Sequence, residues 1–314
     1  MKVCIVGAGS LGSLLAAYLV KGGVTVGVLT RGPQAAAGKS CAVEVRRVFS
    51  NDSFHVENIT NLGNMKEISD YDLIFLAVKA FDVLSVVKKM HDDNIIDPAR
   101  HVMCLIQNGL GIEDSVRFYF PRVPILRAST TNGALLEQPG VVKHTGSGET
   151  FLGFWDAEKH AGWETMLDAL RDSLVSAGLH AELASNMRQK VWEKAIVNAG
   201  INPVGAIFKV PNGRILEIGS LKSISDKLVG EAMAVARKGK FIEKFDGFSA
   251  VKKVIEATAA NRNSMLQDIE KGRKTEIDFI NGAISRAGIE LHITTPWNDA
   301  LVAIIHGLEA TCGV

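Results

Sequence analysis

Short apolar runs alternate with helix-like segments along the first half of the chain. Four runs are apolar at successive rather than alternate positions: Lys2–Val6, Val24–Thr30, Asp72–Val78 and Val102–Ile106. This pattern is typical of strands buried on both faces, as in a parallel sheet covered by helices. Between Ile125 and Gly153, short runs separated by Gly-containing turns predict further strands.

The pattern changes near Ser185. Beyond it we predict helices over Met187–Asn202, Ser220–Lys238, Phe248–Gly272, Thr275–Ala287 and Pro296–Glu309. We therefore predict a doubly wound α/β domain over residues 1–185 and an all-helical domain over residues 186–314. Within the first domain, Ser40–Val56 alternates differently and predicts a small antiparallel excursion.

Composition narrows the class of protein. The chain has 314 residues, of which 47% are hydrophobic and 22% are charged, as expected for a globular protein of two domains. With a net charge of only +1, the protein has no strong overall electrostatic attraction to nucleic acid or to an anionic membrane. No apolar run approaches the roughly 20 residues of a membrane span, and no signal peptide precedes the first strand, so we expect a cytoplasmic protein. The cysteines form no C-x-x-C pair, which argues against a disulfide framework or a metal site: Cys4, Cys41, Cys104 and Cys312.

The first predicted strand leads directly into a glycine turn, Gly7-Ala8-Gly9-Ser10-Leu11-Gly12, and a helical pattern follows. In a G-x-G-x-x-G turn, the first glycine permits the tight turn, the second lets the backbone approach a pyrophosphate, and the third lets the helix pack on the strand. The phosphates then bind at the positive end of the helix. We therefore predict a Rossmann-type dinucleotide site. The alternative is a glycine-rich turn that binds no ligand.

The residues after the second strand bear on the choice of dinucleotide. An NAD site usually has Asp or Glu here to bind the ribose hydroxyls, whereas this strand ends Leu29-Thr30-Arg31. A carboxylate would repel a 2′-phosphate, and Arg31 can offer it a forked guanidinium. We therefore predict NADPH/NADP+ as the cofactor, although Arg31 could also be an ordinary exposed loop arginine.

Two further strands end in polar residues. In open α/β sheets, ligands bind outside the carboxyl ends of the strands. Lys79 follows the third run and could bind a cofactor phosphate or a substrate carboxylate. Asn108 follows the fourth run and could bind the nicotinamide ribose or the substrate. The alternatives are a solvated strand end at Lys79 and an ordinary turn at Asn108-Gly109.

The first helix predicted beyond Ser185 carries a line of polar residues. Lys194, Asn198 and Asn202 recur every four residues and share one helix face. Because Asn is a poor helix former, this line predicts a hydrogen-bonding surface for a ligand, or else a polar contact with the neighbouring domain. Further along, Glu276 begins a predicted helix, where it could face Lys194 or simply interact with its own helix dipole.

Together these motifs resemble the ketopantoate (2-dehydropantoate) 2-reductase family over essentially the whole chain. The motifs are G-A-G-S-L-G, A-V-K, Q-N-G, W-E-K-A-x-x-N-A-x-x-N-P, P-N-G, N-R-N-S-M-L-Q-D and T-E-I-D-F-I-N-G. The resemblance implies NADPH-dependent reduction of 2-dehydropantoate to pantoate, a step of pantothenate and coenzyme A biosynthesis, with Lys194 as the proton donor. Two parts of the chain depart from the family and bear on substrate identity: Asn263, where members often carry Ser, and Ser40–His55, which matches no family motif.

The resemblance also assigns site residues. It implies a cofactor site made of Gly7, Ala8, Gly9, Ser10, Leu11, Gly12, Arg31, Lys79, Asn108, Ala134 and Glu276. It implies a substrate site made of Lys194, Asn198, Asn202, Asn212, Asn261 and Ser264. Glu276 would contact both the cofactor and the catalytic Lys194.

Two other functions fit parts of the sequence. A reductase of the same fold could act on a different 2-oxoacid, and a non-catalytic NADP(H)-binding sensor would need the glycine turn but not the Lys194 line. For a reductase of either kind, the expected partner is a small-molecule ketoacid, and we expect no role for nucleic acid or a membrane. The apolar segment Leu301–Leu308 could pack internally or form a homodimer.

Overall fold

Residues 1–30, 40–156 and 162–312 are described by a computed structural model, and their contacts divide them into two units. The first unit comprises Met1–Gln107 and Ile112–Met187. The second comprises Asn108–Gly111 and Arg188–Val314. The short segment Asn108–Gly111 thus belongs with the C-terminal unit, although the chain on either side of it belongs to the first.

The first unit is built on a sheet of eleven described strands. In chain order the strands are β1 (Lys2–Val6), β2 (Thr25–Leu29), β3 (Ser40–Arg47), β4 (Asp52–Asn61), β5 (Leu73–Leu76), β6 (Val102–Leu105), β7 (Ile125–Thr130), β8 (Gly133–Gln138), β9 (Val141–Gly146), β10 (Thr150–Phe154) and β11 (Ala181–Leu183). Across the sheet their order is β11-β10-β7-β6-β5-β1-β2-β4-β3-β9-β8. The central strands β7, β6, β5, β1 and β2 are all parallel to one another.

Helices connect these parallel strands. The first unit contains α1 (Ser10–Lys21), α2 (Ala80–Asp92), α3 (Ile112–Tyr119) and α4 (Glu164–Ser176), with a 3₁₀ turn at Met65–Asp70. α1 joins β1 to β2, α2 joins β5 to β6, and α3 joins β6 to β7, because parallel neighbours require a crossover. Every residue of β5 and β6 is buried, as the apolar runs predicted. The predicted doubly wound α/β sheet is confirmed.

The helix α1 is enclosed by the sheet. β3 and β4 form an antiparallel pair that continues the sheet beyond β2, and β9 pairs with β3 in parallel. α1 contacts β2, β3, β4, β8 and β9, so its residues from Gly12 to Leu19 are all buried. The predicted antiparallel pair is therefore present, but it is part of the main sheet. It extends that sheet around α1.

The second unit is helical. Its described helices are α5 (Met187–Phe208), α6 (Arg214–Glu217), α7 (Gly219–Lys238), α8 (Gly247–Ala257), α9 (Ser264–Glu270), α10 (Asn281–Glu290) and α11 (Pro296–Thr311). Within the described ranges, no helix is long and apolar enough to cross a membrane.

Three of the predicted helices are wrong in extent. The predicted helix Phe248–Gly272 is two helices, because the Asn263 side chain accepts a hydrogen bond from Leu266 N and caps the start of α9. The predicted helix Thr275–Ala287 is a 3₁₀ turn, Ile277–Phe279, followed by α10. By contrast, α5 does not end at Asn202 but continues through a proline to Phe208.

A chain of buried polar groups connects α1 with β9. The Tyr18 hydroxyl lies 2.9 Å from His144 Nδ1, and His144 Nε2 lies 2.8 Å from Asn132 Oδ1. Since Gly148 N also donates to Asn132 Oδ1, the proton of His144 is assigned to Nε2, and Nδ1 accepts from Tyr18. Burial lowers the pKa of His144 from 6.5 to about 4, so its imidazole is neutral at neutral pH.

The neutral imidazole of His144 makes the stability of the chain depend on pH. The pKa of this side chain is near 6.5 in the unfolded chain and about 4 in the fold, so the unfolded state takes up the extra proton between these values. The contribution of the neutral His144 to the free energy of unfolding is therefore fully present above pH 6.5. It is lost as the pH drops toward 4, by about 2 kcal/mol between pH 7 and pH 5. Urea unfolding at the two pH values should show a smaller fall for His144→Gln than for the wild type.

His55→Gln is the matched control, because His55 lies on β4 with an exposed side chain. It should retain the pH dependence of the wild type. If His144→Gln also retained it in full, the neutral state assigned to His144 would be wrong.

Candidate active site

The three glycines of the turn after β1 lie in three different environments. Gly7 has a φ of +107°, and a Cβ there would lie 2.8 Å from Val78 N. A Cβ on Gly12 would lie 2.0 Å from the carbonyl oxygen of Gly7. At Gly9, however, no atom of the described residues would lie within 4 Å of a Cβ. This arrangement fits a tight turn, a close helix–strand contact and a stretch of backbone open to a pyrophosphate.

The beginning of α1 is suited to an anion. Gly9 is its N-cap, and no side chain of the described residues caps it, so the first backbone N–H groups keep their hydrogen-bonding capacity for a ligand. Ser10 Oγ accepts a hydrogen bond from Leu136 N at 3.0 Å. This bond holds β8, which carries Ala134, against the start of α1, so the fold brings together two parts of the predicted cofactor site.

Arg31, which was predicted to bind a 2′-phosphate, lies outside the described residues. The strand before it is placed as the prediction requires, because Gly7 N donates to the carbonyl oxygen of Leu29 at 3.0 Å. The carboxyl end of β2 therefore lies beside the glycine turn. The contribution of Arg31 to the choice of NADP over NAD stays a prediction.

A buried glutamine ties together the ends of β5 and β6. Gln107 Nε2 donates to the carbonyl oxygens of Leu76, at 2.6 Å, and Val78, at 3.0 Å. The next residue after Val78 is Lys79, the half-buried N-cap of α2. In the sequence, the only signal of Gln107 is its place in the Q-N-G motif.

Asn108 and Glu276 meet within the second unit. Asn108 Nδ2 donates to Glu276 Oε2 at 3.2 Å, and Leu110 N donates to the carbonyl oxygen of Phe279 at 2.8 Å. Gly109, between them, has a φ of +96°, and a Cβ there would lie 2.3 Å from the same Phe279 oxygen. Gly109 is therefore needed for a close approach between two segments as well as for the turn.

The carboxylate of Glu276 is held in a fixed place. Glu276 is 7% exposed, and the preceding Thr275 donates its backbone N–H to Glu309 at 2.7 Å. Thr275 Oγ1 accepts a hydrogen bond from Ile277 N at 3.2 Å. The turn that follows Glu276 is only three residues long, and so short an element has little dipole for the carboxylate to offset. The hydrogen bond from Asn108 contributes to its position.

The predicted polar line lies on α5. Lys194 and Asn198 are half-buried. Asn202, one turn beyond Asn198, is buried, with 5% of its surface exposed. On the other side of the helix, Trp192 stacks on Phe241 with ring centroids 4.4 Å apart. The line therefore runs from partly accessible to buried along the helix, as a surface that binds one end of a small ligand would.

The structure also joins the downstream asparagines. Asn212 Nδ2 donates to Thr258 Oγ1 at 2.9 Å, and Asn212 N donates to the carbonyl oxygen of Asn261 at 3.0 Å. Asn263 Nδ2 lies 3.4 Å from Asn212 Oδ1. The buried amide of Asn212 thus anchors the P-N-G turn to the α8–α9 connection, whereas Asn261 and Ser264 are exposed. A substrate-binding role for Asn212 stays a prediction.

Comparisons with known families cover both units. The family model described as Ketopantoate reductase PanE/ApbA matches residues 3–157, and that described as Ketopantoate reductase PanE/ApbA C terminal matches residues 186–309. The 2-dehydropantoate 2-reductase of Archaeoglobus fulgidus is 36% identical over 98% of both chains. The 2-dehydropantoate 2-reductase of Pyrococcus abyssi is 33% identical over 100% of this chain and 99% of its own.

Solved structures share the fold along the whole chain. A PanE/ApbA family ketopantoate reductase from Ralstonia eutropha JMP134 has a TM-score of 0.84 and 25% identity, with 100% of both chains covered. D-Mandelate dehydrogenase, in a ternary structure with NADH and anilino(oxo)acetate, has a TM-score of 0.86 and 27% identity, also with 100% of both chains covered. The same fold is thus found in dehydrogenases with differently named substrates.

Replacing Gly109 with alanine should lower the stability of the protein by more than the cost of a side chain at a φ of +96°. A side chain in this φ range costs about 1–3 kcal/mol, and at Gly109 the Cβ would also collide with the Phe279 carbonyl oxygen. Gly178→Ala is the matched control. Gly178 has a similar φ of +92°, but among the described residues no atom would lie within 4 Å of a Cβ added there. In thermal unfolding, Gly109→Ala should melt below Gly178→Ala. Equal melting temperatures would contradict the close approach.

Proposed function

Because this chain belongs to the ketopantoate reductase family, we propose that it reduces 2-dehydropantoate to pantoate with NADPH. The observation that carries the proposal is the buried carboxylate of Glu276, bonded to Asn108, in the same unit as the Lys194–Asn198–Asn202 line. A non-catalytic binding protein would not require a buried carboxylate and an ammonium in one unit. In the proposed reductase, the ammonium donates the proton and the carboxylate holds the ammonium in place.

We assign the cofactor to the domain of residues 1–185 and the substrate to residues 186–314. The glycine turn fits a pyrophosphate, because the backbone at Gly9 is open and the start of α1 is uncapped. The other cofactor residues proposed within this domain are Ala8, Ser10, Leu11, Arg31, Lys79, Asn108 and Ala134, and Glu276 is proposed from outside it. NADPH bound there would supply a hydride.

Lys194 is the proposed proton donor. When a hydride reaches the ketone carbon, negative charge grows on the carbonyl oxygen, and a nearby ammonium stabilises this charge before it supplies the proton that completes the alcohol. Glu276 would hold the ammonium in its charged form and in the right place. Asn198, Asn202, Asn212, Asn261 and Ser264 are proposed to bind the rest of the ketoacid.

Two features of the protein's setting belong to the same proposal. We propose that the chain works in the cytoplasm, where thiols stay reduced, and its four cysteines are all free. We also propose a homodimer. Because Leu301 and Ile305 of α11 are buried within the subunit, the exposed Ile304 is the residue of this helix proposed to face the partner.

A second candidate is a reductase of the same fold that acts on another 2-oxoacid. It is favoured by the full-length similarity to D-mandelate dehydrogenase, whose structure contains NADH. A pocket distinguishes apolar groups of similar size by only about 1–3 kcal/mol, so a few side chains could change the preferred acid.

A panel of substrates tests the proposed function. NADPH or NADH oxidation would be followed with 2-dehydropantoate, 2-oxoisovalerate, pyruvate and the 2-oxoacid that corresponds to mandelate. We expect kcat/KM to be highest for 2-dehydropantoate with NADPH, by about 10- to 200-fold over the other acids. If 2-dehydropantoate were reduced no faster than pyruvate, the substrate assignment would fall. Tight NADPH binding without turnover of any acid would instead indicate a sensor.

The role of Lys194 has its own test. Lys194→Ala should lower kcat by about a hundred- to a thousandfold, because it removes the donor that stabilises the developing oxyanion. Lys190→Ala is the matched control, since Lys190 lies one turn earlier on α5 and pairs with Glu193 at 3.4 Å. It should leave kcat nearly unchanged. A folded Lys194→Ala enzyme with normal turnover would show that another group donates the proton.

A further inference from the structure

A buried ion pair lies inside the first unit, outside the residues assigned to catalysis. Arg127 on β7 and Glu113 in the first turn of α3 are each 1% exposed, and Arg127 Nε lies 3.0 Å from Glu113 Oε1. Removing two charges from water costs several kcal/mol each, and apolar residues of similar volume would often fill the same space at lower cost. Packing alone therefore gives no reason for this pair.

The guanidinium of Arg127 holds the backbone of Gln107. Arg127 Nη2 donates to the carbonyl oxygen of Gln107 at 3.1 Å. Gln107 in turn donates its side-chain amide to the carbonyl oxygens of Leu76 and Val78. One buried charge thus connects β7 to the ends of both β6 and β5, with Glu113 balancing the charge.

Both residues that follow the held carbonyls are proposed to bind NADPH. The carbonyl of Gln107 lies in the same peptide plane as the N–H of Asn108, and the carbonyl of Val78 lies in the same plane as the N–H of Lys79. A peptide unit is rigid, so holding the carbonyl oxygen also sets the direction of the next N–H and Cα. Arg127 therefore acts on Asn108 directly through one peptide, and on Lys79 through Gln107.

We propose that Arg127, Glu113 and Gln107 form a positioning network that orients Asn108 and Lys79 toward the cofactor. This inference rests on the proposed function, since it takes NADPH as the ligand of those two residues. Glu113 lies 3.0 Å from Nε and neutralises the guanidinium, while the neighbouring Nη2 is directed at Gln107. Glu113 also lies in the first turn of α3, where a negative charge is favoured by the helix dipole.

The test separates positioning from stability. Arg127→Lys keeps the positive charge beside Glu113 but loses the forked group that reaches Gln107. The double variant Arg127→Met/Glu113→Gln removes both charges, and such replacements often leave stability unchanged. We expect the dissociation constant for NADPH, measured by fluorescence titration, to rise about tenfold in both variants. The melting temperature of the double variant should stay near that of the wild type, and the KM for the ketoacid should change little.

Arg117→Lys is the matched control. Arg117 also donates to backbone carbonyls, those of Pro121 and Val123, and also pairs with a carboxylate, that of Asp156, but it contacts no residue proposed to bind NADPH. This variant should alter the melting temperature without altering the NADPH dissociation constant.

The outcomes are distinguishable. If the double variant has both the melting temperature and the NADPH dissociation constant of the wild type, the ion pair has only a structural role and the inference is wrong. An unchanged affinity in Arg127→Lys would overturn it equally. If the wild type itself binds no NADPH, the proposed function fails and this inference fails with it, whereas normal binding by every variant would remove this inference alone.

Discussion

The contact between Gly12 and the carbonyl oxygen of Gly7 is the constraint on which the first unit depends. Any side chain at Gly12 would meet this oxygen, so only glycine lets α1 begin directly against the end of β1. The helix placed by this contact is buried along its length, because the sheet curls around it from β2 to β8. The same approach leaves the backbone at Gly9 open. The close contact at Gly12 and the open backbone at Gly9 thus belong to the same turn.

Buried polar groups hold the loops at the strand ends in place. The Gln107 amide, the Arg127–Glu113 pair and the Asn108–Glu276 bond each remove polar atoms from water, which costs free energy unless the geometry of the bonds is good. An interior chosen only for stability would contain fewer of them. Gln107 directly precedes Asn108, which is proposed to bind the cofactor, so these bonds fit a protein that gives up some stability for orientation.

Substrate choice depends on features other than the fold. The chain shares its full-length fold with a ketopantoate reductase and with D-mandelate dehydrogenase, whose named substrates differ. Shared folds commonly host different substrates, because specificity lies in a few side chains. Asn263 lies next to the P-N-G turn, because its side-chain amide contacts that of Asn212.

The sequence by itself determined the features that repeat locally. Apolar runs predicted the buried strands, strand-turn-helix context identified the glycine turn, and four-residue spacing placed Lys194, Asn198 and Asn202 on one face. Each of these patterns reflects contacts between near neighbours in the chain, or burial of a whole element. For the same reason, the strand ends and the polar residues after them could be found without coordinates.

Only the tertiary structure decided which distant segments meet. Arg127 reads in the sequence as an ordinary charged residue of the kind usually exposed, and nothing local shows that it is buried beside Glu113. Likewise, the hydrogen bond from Asn108 to Glu276, and the place of Asn108–Gly111 in the second unit, depend on a backbone contact at Phe279 far along the chain. Local periodicity cannot encode such pairings, because they are set by how complete elements pack.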